Sequence, residues 1–212
     1  MEILKQISEN LQRGEDDAVR QLTQQAIEQK LPAEQILDDG LLAGMAVVGK
    51  KFKAHEVFLP DVLLAAKAMY AGMDKLKPLL IKDGVPSLGK VVLGTIEGDL
   101  HDIGKNLVAI MLRGAGYEII DLGNDVSPQR FVDAAIEHGA TVIGMSALLT
   151  TTMAKMRDVV ELVERRELTG KVRTIAGGAP VSEDFVREIG ADAYGFDAAN
   201  AVEQVAALVG EK

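Results

Sequence analysis

The chain has 212 residues, 48% hydrophobic and 26% charged, with a formal net charge of −9, so it can form one large domain or two modest ones. The first 86 residues carry 11 basic and 13 acidic side chains and the remainder 12 and 19, which argues against a nucleic-acid surface on the second part. Cysteine is absent, which excludes disulfides, thiolate metal sites and cysteine nucleophiles together.

The N-terminal stretch MEILKQISENLQRGEDDAV lacks the long apolar core of a signal peptide, and no apolar run reaches the length of a membrane span. A cytoplasmic protein without membrane contact is the expectation. From Ile3 to Ile81 apolar residues recur at helical spacing: Ile3, Ile7 and Leu11, then Val19, Leu22 and Ala26, then Ile36, Leu41, Met45, Val48 and Phe52. The spacing predicts four helices. Gly14 ends the first, Pro32 sits at the start of the third, and Pro60 with Asp61 opens the fourth, which runs through VLLAAKAMYAGMDKLKPLL. Short loops between them predict a helical bundle over residues 1–86.

After the polar linker DGVPSLGK the period changes. KVVLGTI, YEIIDLG, TVIGMSAL, KVRTIAGG and the short ADAYGF read as strands, the Val- and Ile-rich ones covered on both faces. Helical stretches alternate with them: IGKNLVAIMLRGAG, SPQRFVDAAIEHG, TTMAKMRDVVELVERREL, SEDFVREIG and DAANAVEQVAALVG. Residues 87–212 are therefore predicted to form a doubly wound parallel sheet of five strands, a Rossmann or flavodoxin-like α/β domain. Ligands of such sheets sit outside the carboxyl ends of the strands, where the strand order reverses. GDLHDIG follows the first strand, SALLT the third and GGAP the fourth, so three loops converge on one edge.

The segment GDLHDIGKN (98–106) resembles a phosphate loop only superficially. A Walker loop has four residues between its glycines and a Ser or Thr after the lysine; here five residues separate Gly98 from Gly104 and Asn106 follows Lys105. Glu97, Asp99 and Asp102 also place negative charge where a phosphate would sit. Two readings of His101 remain. Asp99, His101 and Asp102 can serve as helix caps. Alternatively, a neutral imidazole offers one nitrogen to a metal while Asp99 accepts a hydrogen bond from the other. No second histidine accompanies the loop, since His55 lies in the helical half and His138 at a helix end. One protein nitrogen without a further ligand set suits a metal already held in a macrocycle.

GDLHDIG matches the Asp-x-His-x-x-Gly signature of corrinoid (cobalamin) binding domains, and SALLTTTM and GGAP resemble that family's second and third cofactor loops. DGLLAGMAVVGKKF and FLPDVLLAAKAM resemble the four-helix cap of cobalamin-dependent methionine synthase and of the corrinoid proteins of methyltransferase systems. The resemblance spans nearly the whole chain. It implies cobalamin (methylcobalamin, cob(I)alamin or a related corrinoid) as cofactor, with His101 as the lower cobalt ligand in place of the cofactor's own base. Asp99 would bond the other ring nitrogen, and Thr152 would stand where the family's relay has a serine. Leu100, Asp102 and Ile103 would line the cofactor from the same loop. Gly98 and Gly104 would allow close approach of the nucleotide tail, Ser146 and Thr150 would offer hydroxyls, and Gly177 and Gly178 would leave room for the ring system. Leu148 and Ala198 would touch the cofactor, Leu148 serving equally as a core residue. Phe52, Leu59, Val62 and Met45 match cap positions over the cobalt, although helical spacing alone assigns such residues to a bundle core.

The function implied is methyl carriage. Cob(I)alamin would take a methyl group from a substrate-specific methyltransferase, and methylcob(III)alamin would yield it to an acceptor methyltransferase, with a reductive activator protein as a further partner. The cap would swing aside for each partner, with the linker near residues 83–88 as hinge. Methanol, methylamines, methoxylated aromatics and betaines are all served by proteins of this kind, so the donor stays open. A cobalamin-dependent light sensor would ordinarily carry a basic DNA-binding module, which is not expected ahead of Met1, and the chain has no tryptophan. The small subunit of an adenosylcobalamin mutase shares the histidine loop but typically lacks a helical cap.

Overall fold

The structure is a computed structural model and describes residues 2–210. The chain divides into two compact units, one reaching to Ser87 and including Gly114–Gly116, the other taking Leu88–Arg113 and the chain from Tyr117 onward. The first unit is built from α1 (Glu2–Gln12), α2 (Asp16–Glu28), a rod of three consecutive pieces, and α5 (Leu59–Asp83). The rod comprises α3 (Ala33–Gln35), a π-helical segment (Ile36–Leu42) and α4 (Ala43–Lys53). The four predicted helices are thus present, the third with a wider π segment that apolar periodicity does not signal.

The helix boundaries follow the punctuation of the sequence. Gly14 turns the chain out of α1 with φ +74°, and a Cβ there would lie 2.6 Å from the Cβ of Leu64 on α5. Pro32 caps α3, and Asp61 accepts the Phe58 N–H at 2.8 Å to start α5. Gly40 and Gly44 bring the third rod onto α1: Cβ atoms at these positions would meet Ile7 at 3.2 Å and the Ser8 carbonyl oxygen at 3.0 Å. Ile7, Leu11, Val19, Ile36, Leu41 and Leu76 are fully buried among these helices.

The second unit carries a five-stranded all-parallel sheet in the order β2-β1-β3-β4-β5. Its strands are β1 (Lys90–Thr95), β2 (Glu118–Asp121), β3 (Val142–Ser146), β4 (Arg173–Gly177) and β5 (Ala193–Gly195). The helices are α6 (Ile103–Gly114), α7 (Pro128–His138), α8 (Thr150–Met153), α9 (Lys155–Arg165), α10 (Glu183–Ile189) and α11 (Ala198–Val209). The stretch after the third strand, predicted as one helix, is interrupted at Ala154. Its short first piece, α8, places Thr152, whose side chain bonds Asp99 rather than pointing to solvent.

Register brings four strand ends level, with Thr95 beside Ser146, Ser146 beside Gly177, and Gly177 beside Gly195. Strand order reverses between β1 and β3, so the loops after these two strands flank the switch point. Phe131 on α7 fills the hollow over Gly94, where a Cβ would come within 2.8 Å of its ring. Phe131, Ile143 and Met156 belong to one buried cluster.

Among the described residues of the helical unit, one buried polar side-chain atom lacks a partner. The hydroxyl of Thr23 on α2 is buried and makes no hydrogen bond. An unpaired hydroxyl in an apolar interior costs free energy that an isosteric methyl does not. Thr23→Val is expected to stabilise the fold by about 1 kcal/mol, read as a raised urea midpoint. A lowered midpoint would show that the hydroxyl has a role in packing.

Candidate functional site

The loop after β1 turns through Gly98, whose φ is +83°, and delivers Asp99 inward and His101 outward. Asp99 is 0% exposed, whereas the His101 side chain is 53% exposed. The buried carboxylate accepts five hydrogen bonds. Oδ1 takes the backbone N–H of His101 at 3.1 Å and its ring Nδ1–H at 2.8 Å. Oδ2 takes the backbone N–H groups of Leu148 at 2.8 Å and Leu149 at 3.2 Å, and the Thr152 hydroxyl at 2.8 Å. The Thr152 hydroxyl also lies 3.0 Å from the Leu149 carbonyl oxygen, but its single proton favours the closer, charged acceptor.

Burial alone would raise the Asp99 pKa. It is outweighed by the N–H groups of Leu148 and His101, the imidazole and the Thr152 hydroxyl, which hold the carboxyl well below the usual carboxylate range. Because an ionised carboxylate only accepts, Nδ1 of His101 carries the ring proton, leaving Nε2 with a free lone pair. This arrangement fixes the ring and leaves one imidazole nitrogen available to a metal.

The sequence-predicted residues sort into three groups. His101, Thr152 and the backbone of Leu148 are each bonded directly to the Asp99 carboxylate. Around them, Leu100 is 68% exposed and Ile103 75%, and Leu148 is exposed rather than a core residue. Asp102 starts α6, its carbonyl accepting the Asn106 N–H at 2.8 Å, while the Asp99 carboxylate is bonded elsewhere. A Cβ at Gly104 would meet nothing within 4 Å.

A second group lines the same strand edge. Ser146 ends β3, Thr150 is exposed at the start of α8, and Ala198 is buried at the first position of α11. Gly177 ends β4 and Gly178 follows it. Their missing side chains make way for the protein's own backbone: a Cβ on Gly177 would fall 2.5 Å from the Gly195 carbonyl oxygen, and one on Gly178 would collide with the Ala147 carbonyl. The third group lies in the helical unit. Phe52 and Leu59 are half-buried, Val62 is wholly buried and Met45 nearly so, which is the packing role helical spacing implies for the last two.

Three further residues near this edge lie outside the predicted site. The side chain of Lys105, in the first turn of α6, is almost wholly buried, with Nζ 2.6 Å from Asp121 Oδ1 and 2.7 Å from Asn106 Oδ1. The lysine that mimics a phosphate-binding residue is therefore committed to an internal ion pair. Partial burial would raise the Asp121 carboxyl, but the bonds from Lys105 and the Gly123 N–H outweigh it and keep it below the ordinary value. Leu149 and Phe196 are exposed apolar residues, the first beside Leu148 and the second just after β5. Their only sequence signal was adjacency to predicted strand ends.

The depressed pKa of Asp99 has a consequence for stability. Since the native value lies below the unfolded one, the stabilisation is fully present above the unfolded value, at about pH 4, and is lost as pH falls through the native value. Asp99→Asn would turn an amide NH2 toward donors and is expected to cost about 2–3 kcal/mol at pH 7. Urea unfolding at pH 7 and pH 3 should show the gap between wild type and variant narrowing in acid. A gap that is independent of pH would contradict the ionised assignment.

Comparison with known proteins agrees with this geometry. Residues 89–206 match a B12 binding domain and residues 3–77 a second model, also described as a B12 binding domain. The chain is 41% identical to a corrinoid protein of Desulfitobacterium hafniense, over 100% of this chain and 99% of the relative. It is also 41% identical to dimethylamine corrinoid protein 1 of Methanosarcina acetivorans, over 98% of each chain. Among solved structures, it matches a chain of the methanol:cobalamin methyltransferase complex of Methanosarcina barkeri with a TM-score of 0.89 and 33% identity, over 100% of this chain and 81% of that one. A cobalamin-binding protein of Desulfitobacterium hafniense matches with a TM-score of 0.79 and 32% identity, over 98% of both. By these matches, which together span nearly the whole chain, the protein binds cobalamin and belongs to the corrinoid proteins of methyltransferase systems.

Proposed function

We propose that this chain carries methyl groups between two methyltransferases, one specific for a methylated substrate and one for the acceptor. The observation that supports it most is the Asp99–His101 pair, which leaves Nε2 free on an exposed ring. The surrounding residues fit a bulky, largely apolar cofactor. Leu100, Ile103, Leu148 and Leu149 offer exposed apolar contacts, and the space beside Gly104 is open. When bound, the corrinoid supplies a cobalt centre that can accept a methyl group and release it.

His101 Nε2 is the ligand atom in this reading, and Asp99 fixes the ring so that Nε2 is presented unprotonated. The Asp99 carboxylate that holds the ring is itself supported by the Thr152 hydroxyl. The relay is thus Thr152 to Asp99 to His101, with a threonine hydroxyl sufficing at the first position. Ser146 and Thr150 offer hydroxyls, and Gly98, Gly177, Gly178 and Ala198 border the strand ends where the rest of the cofactor would lie. Within the helical unit, Phe52 and Leu59 are half-buried and Val62 and Met45 are buried.

The similar chain in the Methanosarcina barkeri complex supports a methyltransferase as partner. A reductive activator protein and a cytoplasmic location complete the proposal. No helix among the described residues is long and apolar enough to cross a membrane.

The reading is tested by titrating the apoprotein with hydroxocobalamin. One equivalent should bind per chain, His101→Ala should weaken binding about 10- to 100-fold, and Asp99→Asn about tenfold. Equal affinity in wild type and His101→Ala would contradict the role given to the histidine. Carriage itself is tested by mixing the loaded, reduced protein with methanol- or methylamine-specific methyltransferases and carbon-13-labelled donors. Label should appear on the bound corrinoid at one methyl per chain with at least one of them, and its absence with all would count against a methyl carrier.

A further inference from the structure

The histidine loop is held by a second support, the turn after β2. Three successive residues of the loop are bonded to two residues of that turn. The Gly98 N–H donates to Asp125 Oδ1 at 2.7 Å, the Asp125 N–H donates to the Asp99 carbonyl at 3.0 Å, and Asn124 Nδ2 lies 3.5 Å from the Leu100 carbonyl. Asp125 makes these contacts with φ +54°, a left-handed conformation that costs a non-glycine residue energy.

The turn that carries Asp125 is itself fixed. Leu122 N–H donates to the Leu93 carbonyl at 2.8 Å, Thr95 N–H to Gly123 at 2.9 Å, and Val126 N–H to Thr95 at 3.0 Å, extending the β1–β2 ladder beyond both strands. From the other side, Asp121 Oδ1 accepts the Gly123 N–H at 2.9 Å and the buried Lys105 ammonium at 2.6 Å. The histidine loop and this turn thus flank the same end of β1, and the strained residue sits where it reaches the backbone of Gly98. Asp99 fixes the ring of His101, while its own backbone is tied both to Ile96, whose carbonyl accepts the Asp99 N–H at 3.1 Å, and, with that of Gly98, to Asp125.

We infer that Asp125 is a positioning residue that holds the Gly98–Leu100 backbone in the form that presents His101 Nε2 to the corrinoid. The inference rests on the histidine-ligand reading and extends it to a residue that does not touch the imidazole. Asp125 contributes no ligand atom. Its carboxylate oxygen and backbone N–H reduce the loop's freedom before any cofactor binds, so less order has to be imposed at that moment.

Three variants separate this from a purely structural role. Asp125→Asn keeps an oxygen acceptor and a residue that tolerates positive φ. Asp125→Gly relieves the backbone but removes the acceptor. Asp125→Ala removes the acceptor and retains the strain. In the apoprotein, hydrogen exchange of the Gly98 amide is expected to accelerate about tenfold or more in Asp125→Gly and to stay within about twofold of wild type in Asp125→Asn, with the unfolding midpoint of Asp125→Gly close to wild type. In protein loaded with cobalamin and reduced to the cob(II) state, the protein-nitrogen splitting in the electron paramagnetic resonance spectrum should weaken in Asp125→Gly and Asp125→Ala and persist in Asp125→Asn. Unchanged Gly98 exchange, an unchanged splitting in Asp125→Gly, or failure of both Asp125→Gly and Asp125→Asn to fold would overturn the inference. Coupling to the cofactor's own base in wild type would instead overturn the histidine-ligand reading and with it this extension, even if Gly98 exchange still responded to Asp125.

Discussion

Five hydrogen bonds converge on one buried carboxylate, and the arrangement of the candidate site depends on them. Asp99 ties together the loop after β1, the backbone after β3 and the first turn of α8, three segments that share no strand. A buried charge is tolerated only when its acceptor sites are filled, so each of these segments must be in place for the others to be. The outward imidazole is then a consequence of the inward carboxylate. Asp99 fixes both the orientation of the ring and the nitrogen that bears the proton.

The sheet makes that convergence possible. Parallel strands with level ends place Thr95, Ser146, Gly177 and Gly195 in one row, and the reversal of strand order opens the space between the loops after β1 and β3. The glycines of this row serve the fold first. At Gly177 and Gly178, neighbouring carbonyl groups occupy the places where side chains would stand. Lys105 contributes in the same way from beneath, neutralising Asp121 inside the protein instead of offering its charge to a ligand.

Much of this was legible from local pattern. The change from helical spacing to Val- and Ile-rich runs after residue 88 marks the start of the sheet, and Gly14, Pro32 and Pro60 mark helix ends because their backbone preferences act within one or two residues. Asp99 and His101 could be paired from sequence because they are two residues apart. What remained hidden involves distance along the chain. Asp125 lies 27 residues from Gly98 and Lys105 lies 16 from Asp121, and these pairs meet only once β1 and β2 align. The break at Ala154 and the π segment at Ile36–Leu42 were likewise illegible, since each reflects tertiary packing that single-residue preferences do not encode.

The central claim is that a protein nitrogen on His101 becomes the lower ligand of the corrinoid. It is tested most directly by loading nitrogen-15-labelled protein with unlabelled cobalamin, reducing to the cob(II) state and recording the electron paramagnetic resonance spectrum. The account predicts a doublet superhyperfine splitting that disappears in His101→Ala. A triplet from the cofactor's own unlabelled base would contradict it, leaving Asp99 and His101 as elements of loop structure alone.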